Sequence, residues 1–146
     1  MSILIGLTGS IGSGKSLAAT YFKELGACII DADSLSKQLV EPGEAAWKKI
    51  AEEFGVDYFN HDQSLKRKKI AAEVFKDEEK RVLLEKIIHH HVLAEEQNLY
   101  HAYKGSNPEA VVIIDSPLLI ESENYMNMDK VIIIKCSTEL QIQRAM

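Results

Sequence analysis

The chain has little cysteine, little proline and no excess of positive charge, and each shortage excludes something. Cys28 and Cys136 are its only two cysteines among 146 residues. They form no CxxC pair and no disulfide framework, which suits a reducing compartment, and both read as small apolar residues buried in strands. Three prolines and eight glycines leave no Pro- or Gly/Ser-rich linker. Lys and Arg number 17 against 22 Asp and Glu, a formal charge of −5. A general nucleic-acid coat or an anionic-membrane binder is basic, so neither class fits. The longest apolar run, Ala110–Ile114, and shorter ones such as Val131–Ile134 fall far short of the ~18 residues that read as a membrane span. The apolar N-terminus lacks a basic leader and stops at Gly9, so no signal peptide is expected and the expected address is cytoplasmic.

What is present is a core-forming composition, 46% apolar and 27% charged, in a length that suits one domain. Residues 1–33 carry three acids and two bases, residues 34–108 thirteen and twelve, and residues 109–146 six and three. A densely charged helical middle therefore separates two apolar, strand-bearing flanks. The short apolar runs at Ile3–Leu7, Ala27–Ile30, Ala110–Ile114 and Lys130–Lys135 read as strands buried on both faces. Helical spacing is expected over Ser16–Leu25, Ser34–Val40, Glu44–Phe54, Lys66–Phe75 and a bent or broken Asp77–Tyr103, with another helix starting at Thr138–Met146. Gly26 is a stop signal for the first of these. That order predicts an α/β fold with a mostly parallel sheet flanked by helices. Residues 1–33 and 109–146 form its core, and residues 34–108 are an inserted helical segment.

Gly9-Ser10-Ile11-Gly12-Ser13-Gly14-Lys15-Ser16 fits G-x-x-x-x-G-K-[ST] without a mismatch. Such a loop turns successive backbone N–H groups onto phosphate oxygens, and the following helix adds its positive end. Lys15 is expected to reach the β- and γ-phosphates, and Ser16 to hold Mg²⁺ through its hydroxyl. The loop follows a strand and opens a helix, the context that separates such a site from a chance glycine-rich turn and makes the expected sheet P-loop NTPase-like.

Two acidic elements follow expected strands. Asp33, after Asp31, either takes the proton of an acceptor hydroxyl or caps a helix beginning at Ser34. Asp115 closes Val111-Val112-Ile113-Ile114 and either holds Mg²⁺ like a Walker-B carboxylate or bonds to the turn before Pro117. Glu121 is given no catalytic role. His89-His90-His91 cannot converge on one ion, because successive helical residues point ~100° apart. They read as a partly exposed helix face, or as one His meeting a substrate. Lys66-Arg67-Lys68-Lys69 is a solvated basic face or an attractor of phosphorylated substrate. Trp47, Phe54 and Phe75 are expected in the core.

Taken together, these residues resemble the dephospho-coenzyme A kinase family. The resemblance rests on Gly6-Leu7-Thr8-Gly9 through Ser16, Ile30-Asp31-Ala32-Asp33, Leu65-Lys66-Arg67 with Val74-Phe75, and Leu84-Glu85 with Ile88-His89. It continues in Asp115 with Pro117-Leu118-Leu119-Ile120-Glu121, and in Gln141 with Arg144. It implies ATP-dependent phosphorylation of the ribose 3′-hydroxyl of dephospho-CoA, the final step of coenzyme A synthesis. Carried over by position, Gly12, Ser13, Gly14, Lys15, Ser16 and Leu17 bind ATP, with Lys15 and Asp33 catalytic. Asp31, Asp33, His89 and Leu118 meet the acceptor, and Ser16 and Asp115 serve Mg²⁺. The inserted segment becomes the acceptor-binding domain of a monomer or weak homo-oligomer.

Ser10, Leu17 and His90 depart from the family's usual glycine, threonine and proline. The family also continues into an arginine-bearing lid, a further strand and C-terminal helices not found here, so the chain reads as incomplete. Two other readings stand beside this one. A shikimate-type kinase shares the Asp-x-Asp but carries Gly-Gly near the third strand, where this chain has Ile113–Ser116. A nucleotide-binding module without turnover fits a chain lacking lid arginines. A GTPase is excluded because no Asn-Lys-x-Asp motif is present.

Overall fold

In the computed structural model, residues 1–10, 12–137, 139 and 143 are described. They form two compact units, residues 1–32 with 96–146 and residues 33–95. Ile11 of the glycine-rich loop and the Gln141–Arg144 pair lie outside the described residues, as does most of the expected helix at Thr138–Met146.

The first unit is built on four parallel strands: β1 (Ile3–Gly9), β2 (Cys28–Asp31), β3 (Val111–Asp115) and β4 (Lys130–Ile134). Their order is β2-β3-β1-β4. The register pairs Leu7 with Asp115, Asp115 with Asp31, and Leu7 with Ile132. Because the strands are parallel, their carboxyl ends share one edge. The connection from β1 leads to β2 on one side and that from β3 to β4 on the other, so the sheet's switch point lies between β1 and β3.

Helix α1 (Lys15–Glu24) covers one face. Leu7, Ala19 and Ile113 form the core there, with Ile5, Phe22, Ala27, Ile29, Ile132 and Ile134 packed around them. These are alternate strand residues, as a period of two requires. On β1 the intervening Gly6 leaves room for the fully buried Leu119: a Cβ at Gly6 would stand 2.4 Å from a Leu119 methyl. The segment after β3 is thereby seated on β1, and the Ser116 N–H donates to the Leu7 carbonyl at 3.0 Å.

A second anchor of this unit is polar. Glu96, 2% exposed, accepts a 3.0 Å hydrogen bond from Asn124 Nδ2, and Asn124 accepts another from Asn127 at 3.1 Å. Burial pushes the Glu96 carboxyl above its ordinary pKa, and the Asn124 bond opposes that rise. A raised folded pKa means that the folded state binds the proton more tightly. The contribution is therefore fully present below the unfolded value and is lost as pH rises through the folded one. Glu96→Gln, which still accepts from Asn124, should melt like wild type at about pH 4 and above it at about pH 8. Glu96→Ala strands the Asn124 amide and should cost about 1–3 kcal/mol at pH 4 and less at pH 8, where wild type has lost the contribution of the protonated carboxyl. Thermal melts of the three proteins at both pH values check this.

The second unit is helical. It contains α2 (Ala32–Leu39) beyond its first residue, α3 (Ala45–Phe54), α4 (Arg67–Lys76) and the first part of α5 (Glu78–Ser106). Its buried residues include Leu35, Leu39, Ala46, Ile50, Ile70 and Ile87. Trp47 stacks edge-on against Phe59, and Phe54 against Tyr58.

Several expectations are corrected. The last long helix is one uninterrupted element of 29 residues, so the compact units part within it rather than at residue 108. Its low amphipathicity in sequence follows from this change of surroundings along its length. Phe75 is 91% exposed and is not a core residue. Cys136 lies beyond β4, outside any strand, and both thiols are only half-buried. Helix α2 begins at Ala32, which puts Asp33 in its first turn rather than at a cap preceding Ser34. Among the described residues no helix is long and apolar enough to cross a membrane.

Candidate active site

The glycine-rich loop joins the end of β1 to the start of α1, at the sheet's switch point. Gly14 caps α1 with φ +99°, and Gly12 has φ +75°, a left-handed backbone that side chains rarely adopt. Within the loop the Ser13 N–H donates to the Ser10 carbonyl at 3.1 Å. The Ser13 hydroxyl is buried and has no hydrogen-bond partner among the described residues. The Cys136 thiol donates to the Gly12 carbonyl at 3.2 Å and so braces the loop from the end of β4.

Gly9 is required by close approach. A Cβ there would stand 2.6 Å from Ser13 Oγ and 2.9 Å from the Ile134 backbone oxygen. Since backbone cannot give way as a side-chain tip can, Gly9→Ala should cost about 1–3 kcal/mol and displace the loop. A denaturant melt, together with nucleotide titration, measures both effects.

Lys15 opens α1, and its Nζ is in an ion pair with Asp115 Oδ1 at the end of β3. The two side chains are 18% and 12% exposed. This is the partner that the strand-end carboxylate takes in the structure, in place of the turn before Pro117. Asp31 stands beside Asp115 in the register of β2 and β3. Alternation puts Asp31, Asp115 and Leu7 on the same sheet face, the one covered by α1. Ser16 is exposed in the first turn of α1, and Leu17 is 57% exposed.

Lys15, Ser16, Asp31 and Asp115 thus belong to one edge of the first unit, with Leu118 exposed just past β3. Asp33 and His89 belong to the second unit. His89 and His90 are exposed on α5, and His91 bonds through Nδ1 to the Ile87 carbonyl at 2.7 Å. Glu121 lines a cavity of about 410 Å³ together with Thr8, Gly9, Ser10 and Pro117. The brace from Cys136 is absent from the sequence reading. It joins positions 124 residues apart, and no local pattern signals it.

The donors near Lys15 fit a magnesium ion: the Ser16 hydroxyl and the Asp115 carboxylate are hard oxygen ligands. The α1 N-terminus and the Lys15 ammonium lie at the same edge and are groups that could hold a polyphosphate.

The comparisons with known proteins agree with this geometry. A family model described as CoaE, Dephospho-CoA kinase, matches residues 3–146. A dephospho-CoA kinase of Bacillus anthracis is 40% identical over 146 residues, all of this chain and 72% of that protein. One from Halalkalibacterium halodurans is 38% identical over 144 residues, 99% of this chain and 71% of its own length. Among solved structures, TT1252 from Thermus thermophilus matches with a TM-score of 0.75 and 27% identity, covering 99% of this chain and 71% of that one. A dephospho-CoA kinase from Campylobacter jejuni matches with a TM-score of 0.72; at 24% identity, over 99% of this chain and 79% of that one, it shows the shared fold. The chain belongs to the dephospho-CoA kinase family.

Proposed function

We propose that the Lys15 edge of the sheet holds ATP for transfer of its γ-phosphoryl group to the ribose 3′-hydroxyl of dephospho-CoA. The reaction of the family is the ATP-dependent phosphorylation of dephospho-CoA in coenzyme A synthesis. The observation that carries the assignment of the site is the conjunction of the glycine-rich loop, Lys15 and Asp115 at the sheet's switch point. In our reading Lys15 leaves Asp115 for the β- and γ-phosphates as nucleotide binds, while the loop N–H groups of Gly12–Leu17 hold the phosphate chain. Ser16 and Asp115 would hold magnesium, which when bound neutralises charge developing on the phosphate oxygens. Asp33 takes the proton of the acceptor hydroxyl as the new P–O bond forms and the bond to ADP breaks. Asp31, His89 and Leu118 are proposed acceptor contacts. Neither cysteine is in a disulfide, which suits the cytoplasm, where we place the reaction.

The test is an ADP-release assay with dephospho-CoA, run beside shikimate as control acceptor. ADP release that depends on dephospho-CoA and is absent with shikimate is expected. Turnover on shikimate alone, or tight ATP binding without product, would contradict the proposal.

A further inference from the structure

We propose that Cys136 is a positioning residue for ATP: its thiol holds the glycine-rich loop in the shape that receives the phosphate chain. The inference rests on the nucleotide reading above and adds to it a residue that none of the site's motifs includes.

A glycine-rich loop has more backbone freedom to lose than other segments, so keeping it ready for a ligand needs contacts from outside the loop. Two such contacts come from the end of β4. The strand pairs with β1 so that Ile134 stands opposite Gly9, and a Cβ on Gly9 would lie 2.9 Å from the Ile134 backbone oxygen. Two residues further on, the Cys136 thiol donates to the Gly12 carbonyl at 3.2 Å. Strand β4 is thus a fixed platform, and Cys136 is its link to the middle of the loop.

That link falls on a single peptide plane. The carbonyl of the Gly12–Ser13 peptide accepts from Cys136, and its N–H donates to the Ser10 carbonyl at 3.1 Å, so the plane is held on both sides. Gly12 has φ +75° and no side chain with which to hold that shape. The held peptide immediately precedes Gly14, the cap of α1, and so sets where the unsatisfied N–H groups of the first helical turn point. A loop released from the thiol spends part of its time in other shapes, and apparent affinity falls to the fraction that stays competent. A thiol is a weak donor, so the expected change is about two- to fivefold. Because the bond is the same before and during transfer, it affects binding and not the chemical step. The thiol is half-buried and borders the cavity of about 410 Å³ beside Thr8, Gly9 and Ser10, which gives a small disulfide access to the sulfur.

Calorimetric titration of ATP and magnesium into the chain, Cys136→Ala and Cys136→Ser is the direct test. Cys136→Ala should raise the Kd about two- to fivefold. The KM for ATP should rise alike, with kcat and the KM for dephospho-CoA nearly unchanged. Cys136→Ser keeps a donor at the same place and should return the Kd to within about twofold of wild type. A second readout is thiol exchange with hydroxyethyl disulfide in a Cys28→Ala background, followed by mass spectrometry. The Cys136 thiolate attacks one sulfur of the reagent, the new S–S bond forms as the old one breaks, and mercaptoethanol leaves with the proton. The adduct removes the donor and crowds the loop, and should weaken ATP binding about tenfold or more. By linkage, saturating ATP should lower the exchange constant by the same factor. Wild-type affinity in Cys136→Ala, no recovery in Cys136→Ser, or an exchange constant indifferent to ATP would overturn the proposal. The expected effects in a chain that makes no phosphorylated product would support the positioning role while refuting the reaction. Product formation with ATP affinity unchanged in Cys136→Ala would do the reverse, and a chain that binds no ATP would overturn both.

Discussion

Asp33→Asn is expected to lower turnover by about 10²–10⁴-fold, the usual worth of a positioned general base, with ATP affinity nearly unchanged. Asparagine keeps the shape and hydrogen-bonding reach of the side chain but cannot take a proton. Asp33 also sits in the first turn of α2, where a carboxylate favours the helix N-terminus by about 0.3–1 kcal/mol. Both roles predict a slightly less stable variant, so stability does not separate them. Turnover does. If steady-state kinetics show kcat within a few-fold of wild type, Asp33 serves only the helix, and the base must be sought elsewhere.

Lys15→Met should be nearly as damaging, for a different reason. It removes the ammonium that our reading places on the β- and γ-phosphates, a loss of about 10²–10³-fold in kcat with weakened ATP binding. It also leaves Asp115, only 12% exposed, without its ion-pair partner. Stranding that carboxylate should cost about 1–3 kcal/mol of stability. The double variant Lys15→Met/Asp115→Asn separates the two effects. Stability should largely return, since the stranded charge is gone, while turnover should stay low. Denaturant melts and kinetics on the two variants provide the comparison. Recovery of turnover in the double variant would mean that Lys15 matters only for neutralising Asp115.

What the sequence made legible is local. β1, the loop and α1 are contiguous, and each carries its own signal: an apolar run, a spaced set of glycines, a helical period stopped by Gly26. Asp115 was readable as an acid ending a strand, because apolar strands covered on both faces show as unbroken runs. Helix α2 starts two residues before the expected position, since an Asp serves a helix both as a cap and in the first turn. Phe75 is exposed rather than in the core, because spacing identifies a helix face without saying which face is covered.

Long-range matters were not legible. Nothing near Val111 says that β3 enters between β1 and β2. Nothing near Lys15 says that its resting partner lies 100 residues away. The Glu96–Asn124 anchor and the thiol of Cys136 beneath the glycine-rich loop belong to the same class. The break between units within α5 was hidden too, because a helix continues without regard to which unit its residues pack into.

The site's chemistry was readable to the extent that residue types were local to one loop or one strand end.

Transfer of a phosphoryl group from ATP to the ribose of dephospho-CoA is decided by incubating the purified chain with ATP, magnesium and dephospho-CoA and analysing the acceptor by mass spectrometry and ³¹P NMR. An acceptor heavier by one phosphate, esterified at the ribose 3′-oxygen, is expected in amounts equal to the ADP formed. An acceptor recovered unchanged beside bound ATP, or phosphate attached elsewhere on the molecule, would contradict it.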